Sequence, residues 1–237
     1  MTRICPGCGG EFSQIGQHWA MSSCDHPKMS EKQKDTLRGL LMGDGNIPVT
    51  QERKNYYLIV KMISKPYLKH LSDVCFPVLS NEVRLEQTAA ESARGARKSG
   101  FSPGADPEDY SDIFALGITA HPWINNLTDW YSTGEKVFPP ELELTPTVLK
   151  HWYCCDGSLD RSDNSPIAEI SLCNEEGNKE KIKEIFCSVG FKNLKWCVNE
   201  RKRRSGRRVK VRFNREETKD LFGYMGSPPP GFRYKWE

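Results

Sequence analysis

The sequence predicts an α+β fold built from two similar halves, and three observations carry that expectation. A nonapeptide with bulky apolar residues at its first, fourth and fifth positions, Asp at its eighth and Gly at its ninth occurs twice. The copies are Leu37-Arg38-Gly39-Leu40-Leu41-Met42-Gly43-Asp44-Gly45 and Leu149-Lys150-His151-Trp152-Tyr153-Cys154-Cys155-Asp156-Gly157. Behind each copy, strand-like and helix-like runs follow in one order, helix–strand–strand–helix–strand–strand–helix. Basic clusters also trail the two acids at nearly one interval: Arg97 follows Asp44 by 53 residues and Arg208 follows Asp156 by 52. The expected architecture is two pseudo-symmetric αββαββα halves, 29–140 and 141–237, whose antiparallel sheets form a saddle. A small cysteine-bearing segment, 1–28, precedes them.

At 237 residues the chain can bury a sizeable core in one large or two modest domains. Its 37% hydrophobic and 27% charged content reads as soluble and globular, with no run of membrane-spanning length and no signal peptide at the start. Nine cysteines are an odd number, and several sit in apolar runs. Together with a Cys-x-x-Cys near the start they predict a reducing, intracellular compartment (cytoplasm or nucleoid) rather than secretion. A net charge of +3 is too small to indicate a nucleic-acid partner, but the placement of the cations is more telling.

In the first segment Cys5 and Cys8, with His18 and Cys24, have the ligand types and spacing of a tetrahedral Zn²⁺ site, and His26 is an alternative to Cys24. A redox Cys-x-x-Cys or free thiols is the competing reading. So short a segment cannot bury a core, so the metal would supply its folding energy, whether it grips DNA or buttresses the main domain. Ser30 with Gln33 makes a capping box for the helix carrying the first motif. Tyr56–Ser64 reads as a strand, and Pro66 opens a helix over Tyr67–Val74. From Asn81 to Asp109 the chain is polar and reads as a solvated loop carrying Arg94, Arg97 and Lys98. Asp112–Thr119 reads as a strand and Pro122–Tyr131 as a helix. In the second half Thr145-Pro146 caps and starts the motif helix. Strands are expected at Ile167–Cys173, Leu194–Asn199 and Val209–Phe213, and helices at Glu175–Val189 and Glu216–Tyr224. The last two strands are joined by a cationic tip: Arg201, Lys202, Arg203, Arg204, Arg207 and Arg208. Lys210 and Arg212 alternate with apolar residues on the final strand, so they share one face. A two-stranded ribbon of this pattern fits the major groove of B-DNA.

Each motif has helical spacing, which brings its Asp close to the apolar stripe at the helix C-terminus. The following Gly45 and Gly157 read as positive-φ stops. An acid at a helix C-terminus opposes the macrodipole, so its appearance in both copies predicts a cation nearby. Two acids meeting at one point can hold divalent ions that serve the attacking and leaving oxygens of phosphodiester hydrolysis. Mg²⁺ (or Mn²⁺) suits such oxygen ligands. An Asp-Gly after a helix can also be a mere turn, a reading that two copies in one register weaken.

The nonapeptides resemble the LAGLIDADG motif of homing endonucleases, present twice as in single-chain members. Gly39 and Gly43 match the small residues that permit close helix approach; His151 and Cys155 depart from them. The resemblance implies that the motif helices pack together and that Asp44 and Asp156 are the paired catalytic, metal-holding acids. It adds Lys136, in Gly134-Glu135-Lys136-Val137-Phe138-Pro139, and Lys235, in the Arg233-Tyr234-Lys235-Trp236 end, as lysines poised near the scissile phosphates. It implies a monomeric, site-specific DNA endonuclease with a long recognition site, active in intron homing, with the basic residues above contacting DNA. RNA maturases and transcription regulators on the same scaffold are the non-cleaving alternative.

Overall fold

The computed structural model describes residues 2–49, 55–132, 135–139, 141–162, 166–172, 175–200 and 207–237. The chain forms two compact units, Met1–Gln33 with Gly45–Thr128, and Lys34–Asp44 with Asp129–Glu237. The fold is α+β, and each unit holds one four-stranded antiparallel sheet.

The first unit begins with a hairpin, β1 (Arg3–Ile4) and β2 (Glu11–Phe12), and helix α1 (Ile15–Met21). Helix α2 (Glu31–Met42) carries the first motif and contributes only its first turn to this unit. The capping box is formed: Ser30 N–H donates to Gln33 Oε1 at 2.9 Å, and Gln33 N–H donates to Ser30 Oγ at 3.3 Å. The sheet runs β3 (Gly45–Asn46), β4 (Leu58–Met62), β6 (Ile113–Ile118), β5 (Arg84–Gln87). Strand β4 alternates cleanly, with Leu58, Val60 and Met62 buried and Lys61 exposed, as a half-buried strand should. Helix α3 (Lys65–His70) has Pro66 in its first turn, close to the expected start, but ends in a π turn, Leu71–Cys75, in which Phe76 N–H donates to the Leu71 carbonyl at 2.8 Å. The extra residue lets both Leu71 and Phe76 bury completely.

The expected solvated loop over 81–109 instead contains strand β5 and helix α4 (Ala89–Lys98). Only Ala93 of α4 is buried, so the helix has no apolar stripe to betray it. It rests on a capping box, with Thr88 N–H donating to Glu91 at 2.7 Å and Glu91 N–H donating to Thr88 Oγ1 at 3.2 Å. Residues Pro122–Trp130 form a 3₁₀ helix.

In the second unit a short hairpin, β7 (Tyr131–Ser132) and β8 (Glu135–Lys136), precedes helix α5 (Pro146–Asp156), which carries the second motif. Thr145 caps α5 by accepting the Val148 N–H at 3.2 Å. The sheet comprises β9 (Gly157–Asp160), β10 (Ile167–Ser171), β12 (Arg207–Arg212) and β11 (Lys195–Glu200), in that order. Both sheets therefore place their own strands in the order first, second, fourth, third. Helices α6 (Lys179–Ser188) and α7 (Arg215–Met225) complete the unit. Ile182 and Phe186 of α6 bury fully, and Phe186 meets Phe213 and Phe191 edge-on at ring distances of 5.6 and 6.3 Å. No helix among the described residues is long and apolar enough to cross a membrane.

Candidate active site

The two motif helices touch through backbone. A Cβ placed on Gly39 would stand 2.4 Å from the Val148 carbonyl oxygen and 2.8 Å from His151 Cβ. One on Gly43 would stand 2.2 Å from Cys155 Cβ and 3.3 Å from Asp156 Oδ2. These separations are inside van der Waals contact, so only glycine fits at either position on α2. His151 and Cys155, which look like departures in the second motif, are the residues that occupy the hollows left by Gly39 and Gly43. Large faces small at both levels of the helix pair.

This packing brings Asp44 and Asp156 to one cavity of about 320 Å³, walled by Leu41, Met42, Trp130, Val137, Phe138, Pro139, Trp152 and Leu172, with Lys136 and Ser171 beside the acids. Burial and then the charge of Asp44 push the Asp156 carboxyl up to about 7; Lys136, Lys235 and the Trp152 indole N–H pull the other way. Desolvation by the surrounding cavity also raises Asp44 above its ordinary value, although the residue stays open to solvent, against the pull of Lys235, Lys136 and the Cys155 thiol. Cys155 itself is held well above the usual thiol range by burial and by Asp44.

A cation is found at each helix end. Lys136 Nζ donates to the Leu41 and Gly43 carbonyls at 2.8 and 2.7 Å, at the C-terminus of α2. Lys235 Nζ donates to the Cys154 carbonyl at 2.6 Å and lies 3.5 Å from that of Tyr153, in the last turn of α5. Each ammonium satisfies carbonyls that a helix leaves open, offsets the macrodipole and stands near an acid. Lys235 is buried, 4.8 Å over the Phe232 ring, and burial lowers its pKa while the neighbouring thiols and acids raise it.

The motif glycines do not act as positive-φ stops. Positive φ is found at Gly9, Gly100, Gly190, Gly226 and Gly231. Gly157 is extended, with φ −77° and ψ 149°, because α5 passes directly into β9. It must be glycine for another reason: a Cβ there would meet the Tyr153 ring and carbonyl at 2.3 Å.

In the first unit Cys5, Cys8, His18 and Cys24 point their ligand atoms together, all within 4.8 Å of one another. Cys8 Sγ and His18 Nε2 are 3.6 Å apart, matching the sulfur–nitrogen edge of about 3.6 Å expected for tetrahedral Zn²⁺ with bonds of about 2.3 and 2.0 Å. His26 stands outside this set, with its ring 5.7 Å from Trp19 and 5.4 Å from His121. Around the ligands, Trp19 Nε1–H donates to Cys5 Sγ at 3.3 Å and His18 stacks on Phe12 at 3.7 Å. The segment docks on its unit: Arg3 donates to the Pro77 carbonyl at 2.7 Å, and the His121 ring meets the Pro27 carbonyl at 3.0 Å.

The expected DNA-contacting cations divide into three groups. Arg94, Arg97 and Lys98 are exposed on α4, in the connection from β5 to β6. Arg207 and Arg208 begin β12, while Arg201, Lys202, Arg203 and Arg204 lie outside the described residues. In sequence, residues 201–204 fall between β11 and β12, as α4 falls between β5 and β6 in the first sheet. Lys210 and Arg212 are half-buried and paired with Glu169 and Asp160, acids of which Glu169 had no signal in the sequence beyond one charge in an apolar strand.

Paired motif helices with a shared acid cavity, each leading into a sheet of one repeated topology, define a two-motif α+β scaffold. Residues 34–221 match the LAGLIDADG DNA endonuclease family, and the chain belongs to that family. Among solved structures it is similar to the homing endonuclease I-WcaI bound to its DNA recognition sequence, with TM-score 0.70, 16% identity and coverage of 98% of this chain and 96% of that one. It is also similar to full-length DUF199/WhiA from Thermatoga maritima, with TM-score 0.51, 12% identity and coverage of 85% and 58%. No curated protein matches the chain in sequence.

Proposed function

We propose that the protein is a site-specific double-stranded DNA endonuclease, a homing endonuclease that hydrolyses phosphodiesters with Mg²⁺ or Mn²⁺ held by Asp44 and Asp156. The observation that carries this reading is the pair of carboxylates sharing one cavity, with one held to about 7 and a lysine fixed at each helix end. The donor set fits a hard divalent cation: both groups offer oxygen only, and a cation between them would relieve the repulsion that otherwise favours protonation. Such ions, when bound, supply activation of water and stabilisation of the departing oxygen. Lys136 and Lys235 stabilise negative charge that develops on the phosphate, since hydrogen bonds to helix carbonyls fix where their ammonium groups point.

Arg94, Arg97, Lys98 and the Arg201–Arg208 tip supply phosphate contacts. Two motifs in one chain support action as a monomer on a long recognition site, and the unpaired thiols among the described cysteines support a reducing, intracellular setting. Zn²⁺ on Cys5, Cys8, His18 and Cys24 holds the N-terminal segment as a buttress of the first unit.

The test is cleavage of a randomised duplex library with Mg²⁺ by wild type, Asp44→Asn and Asp156→Asn. One enriched long site cut by wild type and by neither variant is the expected result. Tight, salt-sensitive binding without cutting would put a maturase or transcription regulator in its place.

A further inference from the structure

The sheet of the second unit has one apolar face, carrying Ala168, Ile170, Val209 and Val211, and one polar face. On the polar face Glu169 of β10 is registered between Ser158 of β9 and Arg212 of β12. Lys210 Nζ donates to Glu169 Oε2 at 2.6 Å, and Arg212 Nη1 lies 3.5 Å from Glu169 Oε1. Arg212 also donates from Nη2 to Asp160 Oδ2 at 2.8 Å. The Glu169 side chain is only 10% exposed. In the first unit Glu86 lies between Lys61 and Arg84 in a similar way, but those cations are 51% and 69% exposed, so their pairs hold little.

A surface that only grips phosphates has no use for a buried Glu169 and a partly exposed Asp160 beside its cations, because these carboxylates repel the backbone they face. Leaving the nearly buried Glu169 carboxylate without a partner is costly, so Lys210 and Arg212 stay where Glu169 directs them, with the more exposed Asp160 adding a second hold on Arg212. Directed donors of fixed orientation suit base edges in a groove, whereas phosphate contacts tolerate mobile side chains.

We propose that Glu169, assisted by Asp160, determines sequence specificity by positioning Lys210 and Arg212 to read bases and by preventing their capture by phosphates. The inference rests on the DNA endonuclease reading. Its test is binding, without added divalent ions, of wild type, Glu169→Gln, Glu169→Asp and Asp160→Asn to the duplex that wild type selects and to a random duplex, across a salt series.

In Glu169→Gln the random duplex should bind more tightly, and the selected-to-random affinity ratio should fall about tenfold or more. The log–log salt slope should steepen by about 0.9, the signature of one more phosphate neutralised. Asp160→Asn should change both readouts in the same direction, and Glu169→Asp should restore most of the ratio. An unchanged ratio and slope in Glu169→Gln overturns the proposal, as does an equal loss of affinity for both duplexes. A wild type that favours no duplex sinks the nuclease reading and this inference with it. A wild type no more selective than Asp160→Asn and Glu169→Gln, on a site it does cut, sinks this inference alone.

Discussion

Replacing Asp156 with Asn should stabilise the protein when no divalent ion is added, and the gain should depend on pH. The folded environment holds the Asp156 proton to about 7, against 3.8 for the ordinary side chain. At about 1.4 kcal/mol per pH unit, the ionised group opposes folding by up to about 4 kcal/mol once the pH exceeds 7. Solvent reaches part of the carboxylate and part of the cost is shared with Asp44, so about 1–2 kcal/mol is the expected net gain, or roughly 3–6 °C in Tm. Between about pH 4 and 7 the native wild type holds a proton that the unfolded chain has released. Wild-type stability therefore falls relative to Asp156→Asn across that window and runs parallel to it above about pH 7. Thermal unfolding of both proteins across this range measures the effect directly. Adding Mg²⁺ at about pH 8 should raise the wild-type Tm and narrow the gap. If Asp156→Asn is no more stable than wild type at about pH 8, or its advantage is the same at every pH, the account of the paired acids is wrong.

Three further outcomes are expected. Gly39→Ala drives a methyl into the Val148 carbonyl and should lower stability by about 1–3 kcal/mol in urea unfolding, with loss of cleavage; an unchanged midpoint would mean that the helices do not touch as described. His18→Ala should abolish the binding of one equivalent of Zn²⁺ and lower the Tm, whereas His26→Ala should keep the metal; a chromogenic chelator assay decides between them. Lys235→Met keeps an aliphatic stem in the buried site, so duplex binding should change by less than about threefold while cleavage falls by about a hundredfold. Equal losses in binding and cleavage would mark Lys235 as a structural residue only.

Much of this fold was legible where its cause is local. The motif helices, the Ser30 and Thr145 caps and the run of β-forming residues at β4 each depend on residues a few positions apart. The strands that leave the motifs, β3 and β9, were not legible, because two and four residues carry no usable period. Helix α4 was missed although Thr88 and Glu91 spell its capping box, since a polar surround and one buried Ala93 leave no stripe. In the site, Asp44, Asp156 and the four-ligand cluster were readable as spaced residue types. The brace of Glu169 on Lys210 was not, because its partners are 41 positions apart and meet only through strand register. The motif glycines taught the opposite lesson: their identity was informative, but at Gly157 steric room beside Tyr153, rather than left-handed backbone, is what demands it.

The size mismatch along the motif helices means that the two copies of the motif are not interchangeable. A pair of first-motif helices would set Gly39 against Gly39 and Gly43 against Gly43, losing the contacts His151 and Cys155 make and closing to a shorter separation. A pair of second-motif helices would force His151 onto His151 and Cys155 onto Cys155 at a spacing that cannot hold them. Neither self-pairing keeps the present separation of the helices, so a half paired with its own copy would hold the two acids at a different spacing. The present spacing of the two acids therefore depends on one helix of each kind.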